Sequence, residues 1–203
     1  LNLPLGKIID SFGLRQLRIA ESEKFPHVTY FFNGGTSAIY NGEDRIMIPS
    51  PNVATYDLKP EMSAPELTDI LIKRVSANMY DFILVNYANP DMVGHTGNLA
   101  AGIKAVSTVD SLVYELVQNF ISTGGAVIIT ADHGNVEEMI NLETKTLDTE
   151  HSLNPVPCII VGTEITQKNL PYGALKDIAP TILEIMGITK PAEMNGQSLI
   201  RKI

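Results

Sequence analysis

The chain of 203 residues is predicted to be an α/β protein, a mostly parallel sheet held between helical layers. Three observations carry the prediction. Short apolar runs bounded by turn residues recur along the chain. Segments with helical periodicity separate them. Parallel strands need crossover connections, which those helical segments can supply.

The predicted strands are Val28–Phe32, Phe82–Asn86, Ala126–Thr130 and Pro157–Val161, whose near-continuous hydrophobicity suits strands covered on both faces. A helix is predicted over Pro65–Met79, where Leu67, Ile70, Leu71 and Val75 recur at helical spacing. Ser63 and Glu66 read as a capping box ahead of it, with Pro65 in the first turn. A longer helix is expected over Leu99–Phe120, with an apolar stripe through Ile103, Val106, Val113 and Val117 and a stop at Gly124-Gly125. A third, Ala174–Met186, should end at Gly187. No repeat, low-complexity segment or composition break divides the chain, so residues 1–203 read as one domain.

With 44% hydrophobic residues the composition is ordinary for a globular domain. A net charge of −8 argues against nucleic acid and against anionic membrane surfaces, and leaves a small polar substrate or a protein partner open. The single cysteine, Cys158, lies in an apolar run and reads as an inert thiol. No apolar stretch is long enough to span a bilayer, and the opening residues lack the pattern of a secretory signal, so a cytoplasmic setting is expected. The first residue is Leu1 rather than methionine, which fits a piece of a longer polypeptide.

Three of the four histidines fall in acidic contexts: Asp91-Met92-Val93-Gly94-His95, Asp132-His133-Gly134 and Glu150-His151-Ser152. Taken singly, an Asp-His pair is more often a capped turn than a ligand pair. Jointly they point to metal ions, because the motifs at Asp91 and Asp132 each follow a predicted strand and should open on the same carboxyl edge of the sheet, where α/β proteins bind ligands. Asp91 and His95 are four residues apart, so one helical turn can aim both at a single ion. Adjacent Asp132 and His133 need a bend to do the same, and Gly134 makes one accessible. Mixed imidazole and carboxylate donors suit Mn²⁺ first and Zn²⁺ or another transition metal second, rather than Ca²⁺. His27, outside these motifs, reads as structural or as a neighbour of the ligands.

Longer strings give the pattern a family. Asn89-Pro90-Asp91-Met92-Val93-Gly94-His95-Thr96-Gly97, Thr130-Ala131-Asp132-His133-Gly134-Asn135, and His151 ahead of Asn154-Pro155-Val156-Pro157 closely resemble the 2,3-bisphosphoglycerate-independent phosphoglycerate mutases of the alkaline-phosphatase superfamily. Upstream, Leu14 to Lys24 and Phe31-Phe32-Asn33-Gly34-Gly35 are similar to the same family, as is Met194-Asn195-Gly196-Gln197-Ser198-Leu199 downstream. The resemblance implies that Asp91, His95 and His151 hold one Mn²⁺, that Asp132 and His133 contribute to a second, and that Lys24 contacts the transferred phosphoryl group. It also implies the reaction: 3-phosphoglycerate and 2-phosphoglycerate interconvert through a phosphoserine, in glycolysis and gluconeogenesis.

The resemblance covers only the family's C-terminal portion. The nucleophilic serine, a further metal-binding aspartate, an N-terminal strand and the inserted domain that grips phosphoglycerate belong to a preceding segment in that family. Ser37, Ser50 and Ser63 match no nucleophile motif. The expectation is therefore a mutase as the parent protein and an inactive 203-residue chain whose sheet lacks at least one strand. Two rival readings are a phosphopentomutase or metal-dependent phosphohydrolase of the same superfamily, against which the Glu21-Ser22-Glu23-Lys24 string speaks, and a non-catalytic metal-binding domain, which the absent nucleophile favours. Oligomeric state is not legible.

Overall fold

The computed structural model describes residues 3–141, 143–163, 165, 167 and 169–200. The elements run α1 (Leu5–Ser11), β1 (Gln16–Glu21), β2 (Glu43–Ile48), α2 (Ala64–Ser76), β3 (Phe82–Asn86), α3 (Asn89–Gly94), α4 (Leu99–Ile121), β4 (Ala126–Thr130), β5 (Cys158–Gly162) and α5 (Ile178–Ile185). Strands β2, β1 and β3 form a parallel sheet in that order, with Ile19 beside Ile46 on one side and Val85 on the other. Strand β5 runs antiparallel to β4, pairing Ala126 with Gly162 and Thr130 with Cys158.

The α/β class and the layering are as the sequence predicts. On one face of the three-stranded sheet, Leu17, Ile19 and Ile48 pack against Leu67, Leu71 and Val75 of α2 and Leu116 of α4. A second cluster joins Leu5, Ile8 and Ile9 of α1 to Leu183 of α5. Helix α4 begins where Asn98 accepts a hydrogen bond from the Ala101 backbone N–H at 3.2 Å, and Gly124 follows its end at φ +83°. No helix among the described residues is long and apolar enough to cross a membrane.

Three local expectations are corrected. Val28–Phe32 is not a strand; His27–Phe31 forms a turn of π-helix, with Val28 and Thr29 buried and Tyr30 and Phe31 exposed. A short apolar run cannot by itself separate strand from helix, and here the exposure changes in adjacent pairs rather than residue by residue. The capping box at Ser63 does not form, because the Ser63 hydroxyl donates to the Pro49 carbonyl at 2.8 Å and caps nothing. The predicted helix Ala174–Met186 is a single 3-10 turn, Leu175–Asp177, leading into the shorter α5.

The sheet is also split. Among the described residues β3 pairs only with β1 and β4 only with β5, so each keeps one edge without a described strand partner. Between those edges lies a cavity of about 2210 Å³ lined by all of β3 and β4, by Val113 and Val117 of α4 and by Ile182 and Ile185 of α5.

Candidate metal centre

Asp91 sits in α3, separated from β3 by two residues, and His95 caps the C-terminal end of that helix. Their spacing places both on one helical face, with His95 Nε2 3.1 Å from Asp91 Oδ1. His151, from the loop ahead of β5, brings its Nε2 to 3.2 Å from the same carboxylate oxygen and 3.2 Å from His95 Nε2. His133 follows β4 in a bend, as its sequence requires, and its ring stacks on His151 with centroids 3.7 Å apart. Facing ligand atoms of Asp91, His133 and His151 all lie within 4.8 Å of one another. Asp132 stands at the margin: its carboxylate is 3.6 Å from His133 Nε2 and its side chain is 58% exposed.

The hydrogen bonds on the far side of the imidazoles fix which nitrogen is available. His95 Nδ1 lies 2.6 Å from the Thr149 carbonyl, and His133 Nδ1 lies 3.2 Å from the Gly134 carbonyl. A carbonyl only accepts, so Nδ1 carries the proton in each and Nε2 of the neutral ring presents a lone pair. Asp91 Oδ1 and His95 Nε2, 3.1 Å apart, are then both acceptors that repel unless a cation or a proton lies between them, and His151 Nε2 closes on the same point. Backbone carbonyls behind ligating histidines and a mixed N/O donor set are what a bound divalent cation requires, so the residues present fit one.

Lys24 reaches the same point from the single 3-10 turn after β1, where its ammonium pairs with Asp91 Oδ2, both side chains being largely buried. Burial alone would raise the Asp91 carboxyl. Hydrogen bonds from Lys24 and Asn135 and the charge of Lys24 outweigh it and hold Asp91 below the usual carboxylate range. His27 lies close by, and burial, followed by the charge of Lys24, lowers its imidazole.

Two contributors escaped the sequence reading. Asn135 donates through Nδ2 to Asp91 Oδ1 at 2.8 Å, and the same nitrogen lies 3.3 Å from His95 Nε2. Glu137 accepts hydrogen bonds from both histidine-bearing turns. Asn135 stood in the motif string but an asparagine in a turn carries no ligand signal, and Glu137 lies in a 3-10 turn with no motif of its own. Of the serines considered as nucleophiles, Ser63 is committed to Pro49, and Ser50 accepts from the Glu23 backbone N–H at 3.4 Å.

A sheet whose strand ends deliver carboxylate and imidazole donors to one point defines the class: an α/β protein with a metal-binding centre at the carboxyl edge. The chain belongs to the Metalloenzyme superfamily, whose family model matches residues 1–190. Among its relatives, the 2,3-bisphosphoglycerate-independent phosphoglycerate mutase of Clostridioides difficile is 56% identical over 199 residues, covering 98% of this chain and 39% of that protein. The mutase of the same description from Symbiobacterium thermophilum is 50% identical over 200 residues, again covering 98% of this chain and 39% of the relative. The crystal structure of Leishmania mexicana phosphoglycerate mutase at low cobalt concentration superposes with a TM-score of 0.87 at 32% identity, covering 95% of this chain and 38% of that one. The chain thus spans somewhat over a third of the length of the relatives it matches.

Proposed function

We propose that residues 1–203 are the C-terminal part of the metal-binding, phosphatase-like domain of a cofactor-independent phosphoglycerate mutase. The whole protein interconverts 3-phosphoglycerate and 2-phosphoglycerate, in the cytoplasm, in glycolysis and gluconeogenesis. The observation that carries the reading is the meeting of Asp91, His95, His133 and His151 with Lys24 at the ends of β3 and β4.

In this reading Asp91, His95 and His151 hold one Mn²⁺, and Asp132 and His133 contribute to a second. Bound divalent cations acidify a hydroxyl nucleophile and offset charge on the transferring phosphoryl oxygens. The chain's own groups do the rest of the local work. Asp91, kept ionised, supplies negative charge; the carbonyls of Thr149 and Gly134 orient the rings of His95 and His133; and the Lys24 ammonium, beside Asp91, is placed to neutralise a phosphoryl oxygen. The nucleophilic serine and the substrate-gripping domain come from outside these residues.

The test is a titration paired with an assay. The chain should bind Mn²⁺, His95→Ala and His151→Ala should weaken that binding at least tenfold, and the isolated chain should show no mutase turnover with 3-phosphoglycerate and saturating Mn²⁺. Unchanged Mn²⁺ affinity in both variants removes the metal reading. Turnover by the isolated chain at ordinary enzyme rates, on the order of 10 s⁻¹, removes the assignment to a part of the active unit.

A further inference from the structure

Glu137 takes no place among the ligand atoms, yet every segment that carries them is tied to it. Its Oε2 accepts the backbone N–H of Asn135 at 2.8 Å. Its Oε1 accepts the Ser152 hydroxyl and, at 3.1 Å, the Asn154 side-chain amide. Asn135 is two residues beyond His133, and Ser152 is the residue after His151. The two turns are further joined by the Ser152 backbone N–H donating to the Gly134 carbonyl at 2.9 Å. A Cβ on Gly134 would stand 2.2 Å from Ser152 Oγ and 2.3 Å from Glu137 Oε1, so the close approach of the turns depends on glycine at that position. Asn135, whose backbone is fixed by Glu137, reaches onward to Asp91 and to His95. All three ligand-bearing segments, α3, the turn after β4 and the loop before β5, are therefore linked through one carboxylate.

We infer that Glu137 is a positioning residue: it sets the spacing of His133 and His151 and, through Asn135, the orientation of Asp91, so that the cation site is preformed. The inference rests on the proposed metal centre. Glu137 acts from outside the ligand set, in the manner of outer partners whose loss lowers metal affinity by about 10–100-fold while the ligands remain. The carboxylate is suited to the task because its two oxygens serve three donors at once. Hydrogen bonding to those donors, led by Ser152 after the opposing effect of burial, holds it below the usual range.

The experiment uses the whole 203-residue chain with Co²⁺ as the probe, read by equilibrium titration and by the visible absorption of the bound ion, which reports coordination geometry. Glu137→Ala is expected to weaken Co²⁺ binding about 10–100-fold and to alter the spectrum. Glu137→Gln, which keeps an oxygen for Ser152 and Asn154 but presents an amide to the Asn135 N–H, should fall between it and the parent chain. Ser152→Ala should weaken binding by less, and adding it to Glu137→Ala should cost nothing further, because both changes break the same link. Metal-free urea unfolding of the Ser152→Ala and Glu137→Gln chains should stay near that of the parent. Parent-like affinity and spectrum in Glu137→Ala and Ser152→Ala, alongside loss of binding in His151→Ala, overturn the inference and leave the metal centre standing. Parent-like binding in His151→Ala overturns the metal centre and this inference with it.

Discussion

At the scale of single residues, the chain hides polar side chains where sequence patterns look for apolar ones. Strand β1 is buried at every position, yet it contains Gln16, Arg18 and Glu21. Gln16 donates to the Gly6 carbonyl at 2.9 Å, and the Arg18 guanidinium lies 4.2 Å from the Phe32 ring centre. Burial lowers Arg18 to about 10, against the attraction of Glu43. Glu21 accepts the Ser63 backbone N–H at 3.0 Å, while its other carboxylate oxygen has no hydrogen-bond partner among the described residues. Burial, the largest influence on it, raises the Glu21 carboxyl above its ordinary value. A carboxyl raised by folding binds its proton more tightly in the folded chain than in the unfolded one. Its contribution to stability is therefore complete below the unfolded value of about 4.3 and is lost as pH rises through the folded value. Glu21→Gln keeps the oxygen that accepts from Ser63 and removes the titration. The stability of the variant relative to the parent should climb as pH rises from 4 toward 8, measured by urea unfolding at each pH. Parallel pH profiles for the two chains would remove this role for Glu21.

At the scale of elements, legibility followed the periodicity. Helices α2 and α4, long and striped, fall within a few residues of their predicted spans, as do β3, β4 and β5. Strand β1 was invisible because buried Gln16, Arg18 and Glu21 break the apolar run that marks a central strand, and β2 because it opens on Glu43, Asp44 and Arg45. Helix α3 is too short for a periodic pattern, although the Asp91 to His95 spacing it enforces was readable from the motif. The candidate metal-site residues could be named from sequence because their chemistry is local. The scaffold of Asn135, Glu137 and Ser152 could not, because it exists only when two distant turns meet. Helix α3 meets that scaffold through Gly94, where a Cβ would lie 2.2 Å from Asn135 Oδ1 and 2.8 Å from Asn135 Cγ. Gly94→Ala must push Asn135 away from Asp91 or shift the helix. It should cost about 1–3 kcal/mol in urea unfolding, as overpacking of a buried contact does, and weaken Mn²⁺ binding. A variant with the stability and Mn²⁺ affinity of the parent would show that Asn135 does not need its present place.

At the scale of the whole molecule, the split sheet sets the behaviour of the isolated chain. In a strand, successive backbone N–H groups point to opposite edges, so alternate amides of β3 and β4 face the cavity between them without a strand partner. β1, flanked by β2 and β3, is paired on both edges. Val113 and Val117 of α4 and Ile182 and Ile185 of α5 give part of the cavity wall an apolar surface that water solvates poorly. One extended strand laid between β3 and β4 would satisfy both edges and cover those walls, joining the two sheets into one. The mutases that this chain resembles are longer than the matched region, which covers 39% of each. Hydrogen exchange should therefore be fast at the cavity-facing amides of β3 and β4 and slow throughout β1, and the isolated chain should bind a hydrophobic dye. Co-expression with the part of the Clostridioides difficile relative that lies outside its 199 matched residues should slow exchange at those amides and abolish dye binding. If β3, β4 and β1 were equally protected in the isolated chain, the two sheets would already be closed against each other and no strand would be wanting.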